Sequence, residues 1–373
     1  MPNEGSKPAH LTRDSSQKYL QDLFNSSRVR LVGLAPLSDT TQADSLKGYG
    51  YGKPVALTYE LDGKRRRAVL HTVKPGPFGH EHLSDRAAEL LWSHRAFNQL
   101  PLHVRSLDIG TFDSQGHMVS LGETGEFFLL TEFVEGSEYA HDLVRLRQGA
   151  DATSQDWLRG DALCDYLLEI HRVKGNEPGL YTRRIRELVG HSQCIMGLTD
   201  SYPQDHPWIT PRLLESIEQR AVTWRWRIKD RTHRLAQVHG DFHPWNILFE
   251  EANELHVLDR SRGQWGDPAD DVVSLTMNYV FESLQATGRF EGTFAKLFDR
   301  FWSRYLDFSG DREMLEVAGP FVAFRGLVMA SPVWYPHIHE DARRKMLALV
   351  EASLDADMFE PDLVHETLQT THD

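Results

Sequence analysis

Two rhythms of apolar and polar positions divide the chain. Between Arg28 and Val134 apolar residues come in short runs broken by turn residues. Residues 55–61 and 67–73 flank Asp62-Gly63, a pair suited to the left-handed backbone of a tight turn, so they predict a β-hairpin. Residues 81–99 change to helical spacing, with Leu83, Ala87, Leu90, Leu91 and Phe97 available for one apolar face. Residues 105–110 and 126–134 predict two further strands. Beyond Gly136 the spacing becomes helical over 156–173, 183–196, 211–233, 268–286, 290–308, 314–329 and 341–354. Only 237–239 and 255–258 interrupt that series as strand-like runs. The expected architecture is α+β and bilobal: a polar arm over 1–24, a small β-rich lobe over 25–135, and a larger, mainly helical lobe over 136–373.

Charge and composition narrow the function classes. The chain has 373 residues, with 41 Lys+Arg against 54 Asp+Glu and a net charge of −13. Such a balance speaks against nucleic-acid binding through phosphate neutralisation, and mildly favours cationic small molecules as ligands. Cys164 and Cys194 are too few for a disulfide framework or a four-thiolate zinc site. The polar start and the lack of a long apolar run predict a cytoplasmic protein without a membrane partner; the best candidate span, 321–334, is short and holds Arg325.

Candidate chemistry concentrates in one stretch, Val238-His239-Gly240-Asp241-Phe242-His243-Pro244-Trp245-Asn246-Ile247-Leu248. Asp241 and Asn246, on one Pro-containing loop, can place a carboxylate and an amide oxygen on the same side of a cleft. Asp259 follows the strand-like 255–258 run, and Gly266-Asp267-Pro268-Ala269-Asp270-Asp271 comes after it. A strand-end carboxylate with a loop amide is a hard-oxygen pair suited to Mg²⁺ rather than zinc. Each residue also has a plain structural use: Asp241 in a turn, Asp259 as a cap, and Asp267 as a helix cap with Pro268 at the first helical position.

The order His-Gly-Asp-x-His-Pro-x-Asn, Leu-Asp, Gly-Asp-Pro-Ala-x-Asp resembles the aminoglycoside phosphotransferase and choline kinase family, of the protein-kinase-like fold. The resemblance spans roughly 28–350, and residues 167–171 are similar to the family's Leu-x-x-Leu-His helix end. It implies a phosphotransferase moving the γ-phosphate of ATP or GTP to a hydroxyl of a small acceptor such as an aminoglycoside, amino alcohol or sugar. It implies Asp241 as the catalytic carboxylate that orients the acceptor hydroxyl and takes its proton. Asn246 and Asp259 would hold Mg²⁺, His239 would brace the loop with His243 beside it, and Asp271 would be a structural acid tying that loop.

The implied nucleotide lobe departs from the family at one place. Lys47-Gly48-Tyr49-Gly50-Tyr51-Gly52-Lys53 could give a glycine-rich phosphate loop centred on Gly50. Where the family has a phosphate-binding lysine this chain has His71, with Lys74 three residues on; strand alternation puts the two on opposite faces. Asp85 or Glu89 would be the acidic partner on the next helix, and adenine would meet backbone groups around Glu132 and Val134. His71 motivates a second reading, a catalytically weak or inactive kinase-like protein that binds nucleotide and regulates. His80-x-His82 and His337-x-His339 lack the further ligands of a zinc site. Trp224, Trp226, Trp334 and Tyr335 are expected in packing, with an acceptor pocket as the alternative.

Overall fold

A computed structural model describes residues 11–36, 54–122, 124–250 and 254–369. The chain forms two compact units, Met1–Thr131 and Glu132–Asp373. In the first, helix α1 (Arg13–Leu23) precedes an antiparallel sheet of order β1 (Arg30–Pro36), β2 (Val55–Leu61) and β3 (Lys64–Leu70). Asp62 and Gly63 both take positive φ, 51° and 71°, as the Asp-Gly hairpin requires. Leu20, Val29, Leu31, Leu57, Tyr59 and Leu61 make the small core between α1 and the sheet, and Phe24 stacks on Tyr59 at 5.3 Å. Helix α2 (Leu83–Phe97) and the short pair β4 (Gly110–Phe112) and β5 (Met118–Ser120) complete the unit. The 1–24 arm is thus a docked helix over Arg13–Leu23, capped by Thr12, whose hydroxyl accepts from the Ser15 N–H.

Three strand expectations between residues 55 and 134 are corrected. The second hairpin strand covers Lys64–Leu70 rather than 67–73, because pairing runs from Leu61 opposite Lys64 to Val55 opposite Leu70 and β2 begins at Val55. Alternation therefore says nothing about His71 and Lys74, which follow the strand. Of 105–110 only Gly110 enters a strand. Residues 126–134 form no strand; they have no ladder partner among the described residues, and Phe128 is 90% exposed. The apolar stripe of α2 buries none of its residues, so helical spacing there marks the helix without marking a core.

The second unit is mainly helical: α3 (Tyr139–Arg147), α4 (Ser154–His171), α5 (Pro178–Gly190), α6 (Ile195–Ser201), α7 (Pro211–Ile228), α8 (Pro268–Thr287), α9 (Gly292–Ser309), α10 (Gly319–Ala330), α11 (Glu340–Asp355) and α12 (Asp362–Gln369). Strands β6 (Ser137–Glu138), β8 (Ile247–Phe249) and β9 (Leu255–Val257) make a small antiparallel sheet, and β7 (Ala236–Gln237) pairs with β10 (Trp265–Gly266). The expected helix 183–196 is broken after Gly190 into α5 and α6. Residues 211–233 end as a helix at Ile228, and a separate 3-10 turn covers Thr232–Arg234. Residues 314–329 divide because Pro320 has no N–H to continue the ladder; a 3-10 turn over Arg312–Glu316 precedes α10. The acidic tail docks through Val364 and Leu368 on α12.

The core of this unit is large, with Trp224, Trp302, Tyr139, Phe298, Phe321 and Phe324 almost wholly buried. Helix α8 runs through it, started by Asp267 as N-cap with Pro268 behind it and stopped by Gly288 at φ 73°. Among the described residues no helix is long and apolar enough to cross a membrane.

Candidate active site

Between β7 and β8 the chain makes the loop that carries His239, Asp241, His243 and Asn246. Phe242 is fully buried, stacked on Tyr166 at 5.7 Å and edge-on to His239 at 5.7 Å, and so anchors the loop to the core. Its two polar neighbours are thereby left on the rim. Pro244–Asn246 forms one 3-10 turn. The Asp241 carbonyl accepts from the His243 N–H at 2.9 Å and from the Asn246 amide nitrogen at 3.1 Å.

His239, 2% exposed, braces this loop through both ring nitrogens. Nε2–H donates to the Leu258 carbonyl at 2.7 Å, which leaves Nδ1 to accept the Asp241 N–H at 3.3 Å. Behind it, the buried carboxylate of Asp271 accepts the N–H groups of His239 and Gly240, each at 2.7 Å, and is hydrogen-bonded to His171 Nε2 at 3.1 Å. Burial works against ionisation of Asp271, yet His171 and these donors hold its carboxyl below the usual range. Gly240 takes φ 85°, a conformation costly for any residue with a Cβ.

Asp241 sits at the centre of a basic surround. Its Oδ1 accepts from Arg325 Nη1 at 2.6 Å; its Oδ2 lies 3.8 Å from Arg262 Nε and 4.0 Å from His243 Nε2. Burial pushes its carboxyl up, but Arg325 and Arg262 outweigh that and hold it below the ordinary range, ionised at neutral pH. Burial likewise lowers the pKa of His243, with Asp241 opposing in part. Sequence reasoning missed Arg262 and Arg325 as members of the site. The signal for Arg325 was present: a lone arginine inside an otherwise apolar helix is expensive unless it has a buried acidic partner.

Asn246 and Asp259 are brought together by a hairpin. Ile247 pairs with Val257 as the first rung of β8 and β9, and the Leu258 N–H then donates to the Asn246 carbonyl at 2.8 Å. The strands therefore deliver one residue just before β8 and one just after β9 to the same end of the ladder. Asp259 takes φ 51°, a left-handed conformation that Asp tolerates better than most side chains. A cavity of about 240 Å³ opens beside it, with Tyr166, His239, Leu258 and Arg260 in its wall. With its amide nitrogen engaged by Asp241, Asn246 has its oxygen left as a ligand, and Asp259 adds an exposed carboxylate. Two hard oxygens from one end of the ladder, with the cavity beside Asp259, fit Mg²⁺, which keeps several waters and shares ligands with phosphates.

Of the other sequence candidates, His71, Lys74, Asp85 and Glu89 belong to the first unit, and Glu132 and Val134 to the start of the second. His71 and Lys74 are exposed just beyond β3. Asp85 accepts the His82 N–H at 2.8 Å at the start of α2, and Glu89 pairs with His80. Glu132 is exposed and Val134 half-buried, in a stretch without regular structure. Gly50 and the rest of the glycine-rich 47–53 segment lie outside the described residues.

Several solved structures are similar to this chain. Choline kinase LicA from Streptococcus pneumoniae is 14% identical, with 91% of this chain and 98% of that one covered and a TM-score of 0.34. The ADP-bound aminoglycoside phosphotransferase APH(2'')-Ib is 12% identical, with coverage of 95% and 99% and a TM-score of 0.32. Macrolide 2'-phosphotransferase type I is 14% identical, with coverage of 93% and 98% and a TM-score of 0.32. No curated protein sequence matches the chain. Residues 56–313, well over half of the chain, match the profile of the phosphotransferase enzyme family, and the protein, with its α+β fold, belongs to that family.

Proposed function

We propose that the protein transfers the γ-phosphate of ATP or GTP to a hydroxyl of a small-molecule acceptor, with Asp241 as the catalytic carboxylate. The observation that carries this reading is Asp241 itself: an ionised carboxylate, one oxygen engaged by Arg325, on a loop braced by His239 and Asp271. Its Oδ2 would accept a hydrogen bond from the acceptor hydroxyl, align that oxygen for attack and receive its proton as the new P–O bond forms. Asn246 and Asp259 would hold Mg²⁺, which supplies neutralisation of phosphate charge when bound. Little more is asked of the protein, because phosphoryl transfer depends chiefly on positioning and charge.

The acceptor is left as a class, with one restriction. The net charge of the whole chain favours a cationic acceptor, whereas the immediate surround of Asp241 carries Arg262 and Arg325. A cationic acceptor would therefore seat its charged groups away from the reacting hydroxyl.

Thermal-shift titration with ATP and GTP, each with and without Mg²⁺, tests the site in wild type and Asp259→Asn. A ligand at about 100 times its Kd adds roughly 2.7 kcal/mol to stability, so even modest affinity shows at millimolar nucleotide. The expected result is Mg²⁺-dependent stabilisation that is lost in Asp259→Asn. Absence of any shift with either nucleotide would overturn the proposal, and stabilisation without turnover across acceptors would favour the regulatory reading that His71 raises.

A further inference from the structure

Arg325 is the charged residue in the apolar helix α10, flanked by Phe321, Val322, Phe324 and Leu327, and is 6% exposed. Nη1–H donates to Asp241 Oδ1 at 2.6 Å, while Nη2–H reaches Asp270 Oδ1 at 3.1 Å and the Gly240 carbonyl at 3.3 Å. The second oxygen of Asp270 accepts from Arg184 Nη2 at 3.1 Å, and Arg184 Nη1 donates to the Arg262 carbonyl at 2.8 Å. Alternating charges thus run from α5 through α8 and α10 to the loop that carries Asp241.

A stability role explains this arrangement poorly. Replacing a buried ion pair by well-packed apolar groups is often neutral or favourable, so a guanidinium buried on the carboxylate of the candidate base is a costly way to fill a core. What it gives Asp241 is a fixed orientation. Oδ1 is taken by Arg325, whereas the nearest cationic or imidazole nitrogens to Oδ2 stand at 3.8 and 4.0 Å, outside hydrogen-bond range. A carboxylate held by one oxygen cannot rotate freely about its Cβ–Cγ bond, and Oδ2 becomes the oxygen open to an acceptor.

We propose that Arg325 is a positioning residue for phosphoryl transfer, which locks Oδ1 of Asp241 so that Oδ2 meets the acceptor hydroxyl. The inference rests on the role given to Asp241 under Proposed function. It goes beyond family membership, since Arg325 lies outside the matched stretch of 56–313. The role needs the planar fork of arginine, because one nitrogen engages the catalytic carboxylate while the other spans Asp270 and the loop carbonyl.

The test compares wild type, Arg325→Met, Arg325→Ala and Arg325→Lys in steady-state transfer to any acceptor the wild type uses, with nucleotide thermal shifts alongside. The expected result for Arg325→Met is a kcat on the order of 10²-fold lower, with both KM values within about threefold and the nucleotide shift kept. Millimolar guanidinium should restore about tenfold or more in Arg325→Ala, which leaves a hole of the right shape, and none in Arg325→Met. Wild-type kcat in Arg325→Met, loss of kcat together with the nucleotide shift, or absence of rescue would each overturn the inference. If the Met and Ala variants fail to fold, Arg325→Lys decides, because it keeps the buried charge without the fork: reduced kcat supports the role and unchanged kcat removes it. A wild type inactive with every acceptor overturns the reading of Asp241 and this inference with it; an active wild type with undiminished Arg325→Met overturns the inference alone.

Discussion

His171, the last residue of α4, and Asp271, in the first turn of α8, are hydrogen-bonded at 3.1 Å across a hundred residues of chain, and both are buried. The Tyr305 hydroxyl lies 2.6 Å from the other ring nitrogen of His171, and burial keeps that phenol protonated by raising its pKa. The imidazole is thus held from α9 on one side while it supports Asp271 on the other. Because both oxygens of Asp271 also receive loop N–H groups, the position of Asp241 is set by the packing of three helices. Asp271→Asn would turn an amide NH₂ toward a backbone donor. We expect a loss of about 1–3 kcal/mol in urea unfolding and a reduced kcat, with the larger relative effect on kcat.

Arg234 and Asp267 form a second buried pair with a different task. Arg234 Nε and Nη2 donate to the two oxygens of Asp267 at 2.7 and 2.9 Å, and Tyr181 donates to the same carboxylate at 2.9 Å. Asp267 also caps α8 through the Ala269 N–H. Arg234→Met leaves that carboxylate buried without its cation and should cost about 3–5 kcal/mol in urea unfolding.

The same pair predicts an acid limb of stability. Burial resists ionisation of Asp267, but Arg234 and the other donors hold its carboxyl below the ordinary range. In the unfolded chain an Asp titrates near about 3.9, so the unfolded state takes up the proton first as pH falls. The stabilisation is therefore complete above that value and is lost as pH drops toward the depressed folded pKa. Urea midpoints measured from about pH 6 down to pH 3 should fall in wild type and change less in Asp267→Asn, which starts lower at pH 6.

Gly240 gives a sharper test of the loop. Its φ of 85° is unfavourable for an L side chain, and a Cβ there would lie 3.3 Å from both Arg184 Nη2 and Arg262 Cβ. Gly240→Ala should cost about 1–2 kcal/mol through backbone strain. It also presses on two arginines of the charged network, so kcat should fall further than the stability loss explains. Thermal unfolding and kcat measured on one preparation separate the two effects.

Legibility differed along the chain for physical reasons. The β2–β3 hairpin announced itself because Asp62-Gly63 is local turn chemistry, and α8 did so because Asp267-Pro268 opens it and Gly288 closes it. Residue type marks Asn246 and Asp259 as an oxygen pair, but β8, which pairs with β9 between them, covers three residues and is too short for alternation to register. Residues 126–134 misled because an apolar run states hydrophobicity without stating whether a partner strand exists. Pro320 and the extended backbone at His191 cut helices that apolar spacing alone would have run together. Arg325 in an apolar helix signals only that it needs a buried acidic partner; that the partners are Asp241 and Asp270, 84 and 55 residues away, no local pattern encodes.

Asp241→Asn separates chemistry from binding. The amide keeps the size of the carboxylate and can still accept from Arg325 through its oxygen, so the loop should stay in place. It cannot take the acceptor proton, and the Arg325 and Arg262 charges around it lose their counter-ion. Expected kcat falls roughly 10²–10⁴-fold, the range in which general-base groups contribute. The nucleotide-dependent thermal shift should survive, because Asn246 and Asp259 are untouched. Asp241→Ala should lose the same activity but more stability, since it also empties the space against Arg325, which then keeps only Asp270 and the Gly240 carbonyl. Turnover by Asp241→Asn within about threefold of wild type would remove Asp241 from the chemistry.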